Sequence, residues 1–203
     1  MAIIDADAHV IETEQTWDFM LEEDRRFTPE VLVSKKNGIQ FWRVDDRVIA
    51  NSNLGLNVPE DARDLTDVSA RLAHMDALKI DIQVLYPTLF LRPVTARTEV
   101  ELALYRGYNR WLAHIWQLGN NRLRWIVLPP LRSMDKAIEE INFGKAHGAC
   151  GVFMRGHEGE WLLSDPALFP IHTYSHGGGG CAIMGGHIVN DVQLPALKGR
   201  YIY

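Results

Sequence analysis

The chain of 203 residues is 47% hydrophobic and 23% charged with a formal net charge of -5, the composition of one globular domain with a sizeable core; its basic residues are scattered and form no stripe for nucleic acid. No run approaches the ~18 apolar residues of a membrane span and the N-terminus lacks the basic and apolar regions of a secretory signal, so a cytoplasmic protein with neither membrane nor nucleic-acid partners is expected. The two cysteines, Cys150 and Cys181, each border an apolar run and are expected to be buried, reduced thiols.

The first element expected is a strand, in which Ile3 and Ile4 lead into an acid-x-acid-x-His ladder of Asp5, Asp7 and His9. Strict alternation places those three side chains on one face and Ile4, Ala6, Ala8 and Val10 on the other. Burying a row of carboxylates without a partner costs several kcal/mol or forces protonation. A divalent cation held by Asp7 and His9 resolves that cost, because carboxylate oxygen and imidazole nitrogen are both ordinary ligands of zinc-like ions. The same spacing fits a strand end whose acids face solvent, since an acid-x-His triplet is short and common by chance. Glu12, three residues past His9, is placed to orient a ligand from behind.

Downstream, Thr13 to Arg26 is amphipathic, and two alternating runs around Asp45 and Asp46, within residues 38–51, predict a β-hairpin. Residues 51–64 read as loop. Thr66 or Asp67 caps a helix whose apolar positions are Val68, Leu72, Met75 and Leu78. A strand from Ile80 ends at Pro87, and a long helix runs from Thr98 to Leu118 with Glu99 and Glu101 in its first turn. Arg122 to Leu128 is a strand, Ser133 to His147 a helix, and Cys150 to Met154 a further strand. Strands joined by helices predict a parallel α/β sheet, because parallel neighbours need crossover connections. No nucleotide-binding glycine pattern follows any strand, which favours a barrel of the (β/α)8 type with its site at the C-terminal strand ends, where Asp7, His9, Tyr86 and Arg155 fall.

Three segments taken in order then carry a resemblance. They are Ile4-Asp-Ala-Asp-Ala-His-Val-Ile-Glu, Arg71-Leu-Ala-His-Met-Asp-Ala-Leu-Lys-Ile-Asp-Ile-Gln-Val-Leu-Tyr-Pro-Thr and Gly148-Ala-Cys-Gly-Val-Phe-Met-Arg-Gly. They resemble the amidohydrolase-2 branch of the amidohydrolase superfamily, the group containing aminocarboxymuconate-semialdehyde decarboxylase and resorcylate-type decarboxylases, over about residues 2–170. The resemblance implies a metal-dependent barrel enzyme, hydrolase or decarboxylase, acting on a small carboxylated or cyclic substrate. It implies zinc, or manganese, held by an acid-x-His pair on strand one, a His after strand five and an Asp on strand eight. Asp7 and His9 match the first pair and His187 is the candidate for the strand-five ligand; nothing matches the Asp.

Arg155, at a strand end beside Gly156, has the planar fork that suits a substrate carboxylate, although a surface ion pair explains it equally well. His157 and Glu158 follow on the same loop and are weaker candidates for proton transfer; His172 and His176 have the spacing of two ligands on one helix face. After Pro170 the family-like pattern is lost. Four glycines from Gly177 interrupt the expected helix, each costing about 1 kcal/mol. The reading at this stage is one amidohydrolase-like domain over residues 1–203, with 171–203 atypical and about five parallel strands of a barrel. The last of these is Cys181 to Met184, with His187 in the loop beyond. A truncated or frame-shifted frame accounts for that ending; the alternative is an inactive fragment or interaction module that needs a partner chain. A homo-oligomer is compatible with either.

Overall fold

The computed structural model describes residues 2–36, 40–50, 58–155, 187–188 and 201–202, the last two pairs as backbone only. It divides into two compact units, Met1–Met154 and Arg155–Tyr203. The first unit holds a four-stranded sheet of β1 (Ile4–His9), β5 (Ile82–Tyr86), β6 (Leu123–Val127) and β7 (Ala149–Val152), hydrogen-bonded in that order and parallel throughout. A second sheet is an antiparallel meander of β2 (Glu30–Val33), β3 (Gln40–Val44) and β4 (Arg47–Ala50). Its β3–β4 hairpin turns at Asp45 and Asp46 as expected. The partner strand β2 was not foreseen, because Glu30 to Val33 is too short to declare a period on its own.

Helices α1 (Glu60–Arg63), α2 (Val68–Leu78), α3 (Thr98–Leu118) and α4 (Met134–Ala146) join the strands. Asp67 caps α2 as its sequence requires, its carboxylate accepting from the amides of Ser69 at 2.8 Å and Ala70 at 3.3 Å. In α3 the residues Val100, Leu104, Tyr108, Trp111 and Ile115 recur at helical spacing and are buried, so the helix lies with one continuous stripe on the core. Asn109 pins it there. The Asn109 amide donates to the Leu128 carbonyl at 3.0 Å and accepts from the Leu128 amide at 2.9 Å, capping the end of β6. Trp17 packs edge-on against Trp42 and Phe90, which ties the meander and the N-terminal 3₁₀ turns to the main core. Trp42 and Trp125 are therefore core residues, as expected of tryptophans without basic neighbours.

Thr13 to Arg26, expected only to be amphipathic, forms two 3₁₀ turns, Glu14–Phe19 and Glu22–Phe27. One expectation is corrected here. Cys150 is exposed on the outermost strand, its thiol donating to the Trp125 carbonyl at 3.4 Å. Among the described residues β7 has a neighbour on one side only, so an apolar run there does not imply full burial. In the second unit the backbone of β8 (His187–Ile188) pairs antiparallel with β9 (Tyr201–Ile202). Cys181 to Met184, expected as a fifth parallel strand, lies outside the described residues.

Packing of α4 on the sheet is close enough to exclude a methyl group. A Cβ built on Gly144 meets the Val127 Cγ2 at 2.0 Å and Ala149 Cβ at 3.2 Å. Gly144→Ala should destabilise the first unit by about 1–3 kcal/mol through overpacking, despite alanine's better helix propensity. Urea unfolding of the full chain measures it; a variant as stable as the wild type would mean that α4 does not approach β6 this closely.

Candidate functional site

Strict alternation fails in β1, and the reason is visible in its register. Ile4 pairs with Ile82 and Asp5 with Gln83, but Ala8 pairs with Leu85 and His9 with Tyr86, so Ala6 and Asp7 together oppose the single residue Val84. That is a β-bulge, and one extra residue moves every later side chain to the opposite face. Asp5 shares its face with Gln83, Leu85 and Ala8, all buried under the helices. His9 shares the other face with Tyr86. The expectation that Asp5, Asp7 and His9 project together is thus corrected. Asp5, half-buried, is turned toward Gln83, and the pair in contact at the strand's C-terminal end is Asp7 with His9.

Asp5 is spent on structure. Its Oδ2 accepts from Gln83 Nε2 at 2.9 Å and its Oδ1 from the Asp7 amide at 3.2 Å. The second bond satisfies an N–H in the bulge itself. Behind Gln83 lies the buried guanidinium of Arg71, which donates to Gln83 Oε1 at 2.7 Å, to the Ala62 carbonyl at 3.2 Å and to the His9 carbonyl at 3.2 Å. Burial lowers the Arg71 pKa from its ordinary value while the Asp5 charge opposes the drop. Sequence reading offered no signal for this relay, because a lone Arg on an amphipathic helix reads as solvent-facing.

The pair itself has defined geometry. His9 Nε2 is 3.5 Å from Asp7 Oδ1, and His9 Nδ1 is 2.9 Å from the Pro87 carbonyl. A carbonyl only accepts, so Nδ1 carries the proton and Nε2 keeps its lone pair in the neutral ring. Two ligands bonded at ~2.1 Å to one tetrahedral ion lie ~3.4 Å apart, so the pair fits two corners of such a site. Among the described residues no third His, Cys, Asp or Glu joins them. Asp5, Asp7, His9, Arg63, Arg71 and His74 all contribute to the wall of a cavity of about 290 Å³ along β1.

Glu12 is the other ionisable group at this end of the sheet. It is buried, and its carboxylate accepts from the amides of Thr88 at 3.1 Å and Leu89 at 2.9 Å. Burial pushes its pKa up to about 7, although the bonds from Leu89 and Thr88 pull the other way. The phenol of Tyr108, raised well above its ordinary value by burial and by the Glu12 charge, is also buried and has no hydrogen-bond partner among the described residues. Of the remaining candidates, Arg155 follows β7 and begins the second unit, and His187 stands in β8 of that unit, in a strand and not in a loop. His157, Glu158, His172 and His176 lie outside the described residues.

No protein-family model matches this sequence, and no curated protein matches it. Among solved structures the fold is similar to that of an amidohydrolase from Mycobacterium avium subsp. paratuberculosis K-10, with 19% identity, a TM-score of 0.57, and coverage of 73% of this chain and 48% of that one. A 2,6-dihydroxybenzoate decarboxylase complexed with 2,6-dihydroxybenzoate is 18% identical over 79% of this chain and 41% of that one, with a TM-score of 0.43. The chain spans about half the length of the amidohydrolase. That likeness supports the expected fold class: an α/β unit with the strand and helix order of part of a (β/α)8 barrel.

The Glu12 pKa has a consequence for stability. A carboxyl whose folded pKa is raised from 4.5 to about 7 holds its proton more tightly when folded, so its contribution is full below pH 4.5 and is lost as pH rises through about 7. Across that interval the wild type should lose about 2–3 kcal/mol through this group. Glu12→Gln, which cannot ionise, should show a flatter curve; denaturant melts at a series of pH values read the difference, and parallel curves would mean that Glu12 titrates normally.

Proposed function

We propose that this chain carries the strand-one half of a metal site of the amidohydrolase superfamily, in a metal-dependent hydrolase or decarboxylase acting on a small carboxylated or cyclic substrate. The observation that carries the reading is the Asp7–His9 pair. It stands at the C-terminal end of the first strand of a parallel, barrel-like sheet, with its oxygen and lone-pair nitrogen at the spacing of two ligands of one ion. Asp7 and His9 would hold the ion; His187, the third ligand that the sequence resemblance suggests, belongs to the second unit. Zinc suits this donor set, and manganese is the alternative. Bound there, such an ion supplies Lewis acidity, polarising a substrate oxygen or lowering the pKa of a water.

What the chain's own residues contribute can be stated without the ion. The Pro87 carbonyl fixes the His9 ring, and the bulge turns that ring away from Asp5, so the strand end presents one carboxylate and one imidazole together. Asp7 is the more exposed of the two, so its carboxylate is the part of the pair most open to a ligand. Arg155 is the proposed partner for a substrate carboxylate. Hydrolysis and decarboxylation draw on the same apparatus, and the chemistry of these side chains serves both.

A second reading, an interaction module completed by another chain, is favoured by the sheet edges. Among the described residues β1 and β7 each have a neighbour on one side only, and such edges are templates for another strand. Metal analysis separates the two. The purified full chain should bind zinc or cobalt(II) near one equivalent, and replacing both Asp7 and His9 with Ala should weaken that affinity by at least about tenfold. Metal content unchanged in the double variant would remove the pair from any site. A chain that binds no metal and runs as a complex only with added partner would favour the module.

A further inference from the structure

The orientation of the His9 imidazole depends on one peptide plane. Pro87 C=O and Thr88 N–H belong to the same trans peptide and point in opposite directions from it. On one side the carbonyl lies 2.9 Å from His9 Nδ1; on the other the amide donates to Glu12 Oε1 at 3.1 Å. Glu12 Oε2 takes the next amide, Leu89, at 2.9 Å, so the carboxylate grips the chain at two successive residues. Those amides open the 3₁₀ turn Leu89–Leu91, where backbone acceptors are missing by geometry. Among the described residues the Thr88 amide has no other hydrogen-bond acceptor to compete with Glu12. The Thr88 hydroxyl is 3.5 Å from His9 Nδ1, at the limit of a hydrogen bond, and the carbonyl is the nearer partner.

We propose that Glu12 is the positioning residue for His9: by gripping the Thr88 end of the Pro87–Thr88 peptide it holds the Pro87 carbonyl on Nδ1 and leaves Nε2 as the lone-pair nitrogen beside Asp7. Glu12 makes no contact with the ring. It acts through the peptide plane and sets which nitrogen is available to a ligand. The inference rests on the metal reading only for the purpose Nε2 serves; the tautomer itself is a property of the chain alone.

The test uses the full chain, ¹⁵N-labelled and free of added metal, at about pH 8, where Glu12 is ionised. Ring ¹⁵N spectra of the wild type should show His9 protonated at Nδ1. Glu12→Met keeps the volume and removes both acceptors, and should raise the Nε2-protonated form by about fivefold, the scale of one lost hydrogen bond. Glu12→Gln, with one acceptor left, should lie between the two. Thr88→Val removes the hydroxyl but keeps the amide, and should leave the wild-type tautomer.

A folded Glu12→Met protein with the wild-type tautomer overturns the proposal, as does a Thr88→Val protein that shifts as far as Glu12→Met. Should Glu12→Met fail to fold, hydrogen exchange on the wild type decides: slow exchange at Thr88 and Leu89 supports the grip, and open-loop rates there overturn it. Cobalt(II) titration followed by visible absorption adds the ligand readout, with affinity expected to fall about tenfold in Glu12→Met. A wild type that binds no cobalt yet shows the tautomer shift keeps Glu12 in this role and removes the metal reading. Cobalt binding with a tautomer indifferent to Glu12→Met does the reverse.

Discussion

Two residues of β1, Ala6 and Asp7, face one residue of β5, and the arrangement of the strand's polar groups follows from that extra residue. Without it, Asp5 and His9 would share a face and one of the two environments would be wrong for its occupant. Either the histidine would be pressed under the helices or the carboxylate would be left away from its amide donors. With the bulge, Asp5 enters the buried face, where Gln83 and the Asp7 amide meet it, and His9 emerges on the face of Tyr86. A bulge leaves a backbone amide unpaired, and Asp5 supplies its acceptor from two residues back. The side chain that the bulge redirects is therefore also the one that satisfies it.

The buried charge at this end of the sheet is arranged in the same economical manner. A guanidinium out of water loses several kcal/mol of hydration, which direct pairing or several good acceptors must offset. Arg71 takes the second route, with Gln83 between it and Asp5, so a neutral amide carries the polarisation from cation to anion. Among the described residues Glu12 has no cation in hydrogen-bond reach and relies on two amides, which are weaker compensation; its pKa accordingly rises, while that of Arg71 falls. Perturbed carboxyls of this kind gather at functional sites and in structural networks alike, so it is the link through Pro87 to His9 that gives Glu12 functional meaning.

The periodic elements were legible because their signals are local. Asp67 before Val68, the apolar stripe of Thr98 to Leu118, and Pro87 and Pro129 after their strands each act within a few residues, and the structure places those boundaries close to where the sequence suggests. Asp7 and His9 were legible as a pair for the same reason. The face of Asp5 was not, because a bulge is fixed by the register of the neighbouring strand, 78 residues away in the chain, and leaves no mark on the alternation of β1 itself. Nor were the partners of Arg71. Three of its acceptors are a side chain and two carbonyls drawn from separate elements, a convergence that only the crossover of α2 onto the sheet creates. Glu12 was legible as a neighbour of the pair, but its route of action runs through the loop after β5.

His9 is thereby fastened twice, and by groups of opposite charge. Its backbone carbonyl accepts from Arg71 on the helix side, and its ring donates to Pro87, whose peptide is held by Glu12. The two buried ionisable groups do not pair with each other; each is applied to a different part of the same residue, one fixing the main chain and the other the side chain. A backbone anchor alone would leave the ring free to turn about its side-chain torsions, and a ring anchor alone would let the strand end fray with the ring attached. Together they restrict both motions. A ligand nitrogen has to be restricted in this way before binding, because any freedom left in the ring is lost again when an ion or substrate is held, and that loss subtracts from affinity. Asp7, more exposed and with its carboxylate held by no comparable anchor among the described residues, keeps the freedom to adjust to whatever His9 has already placed.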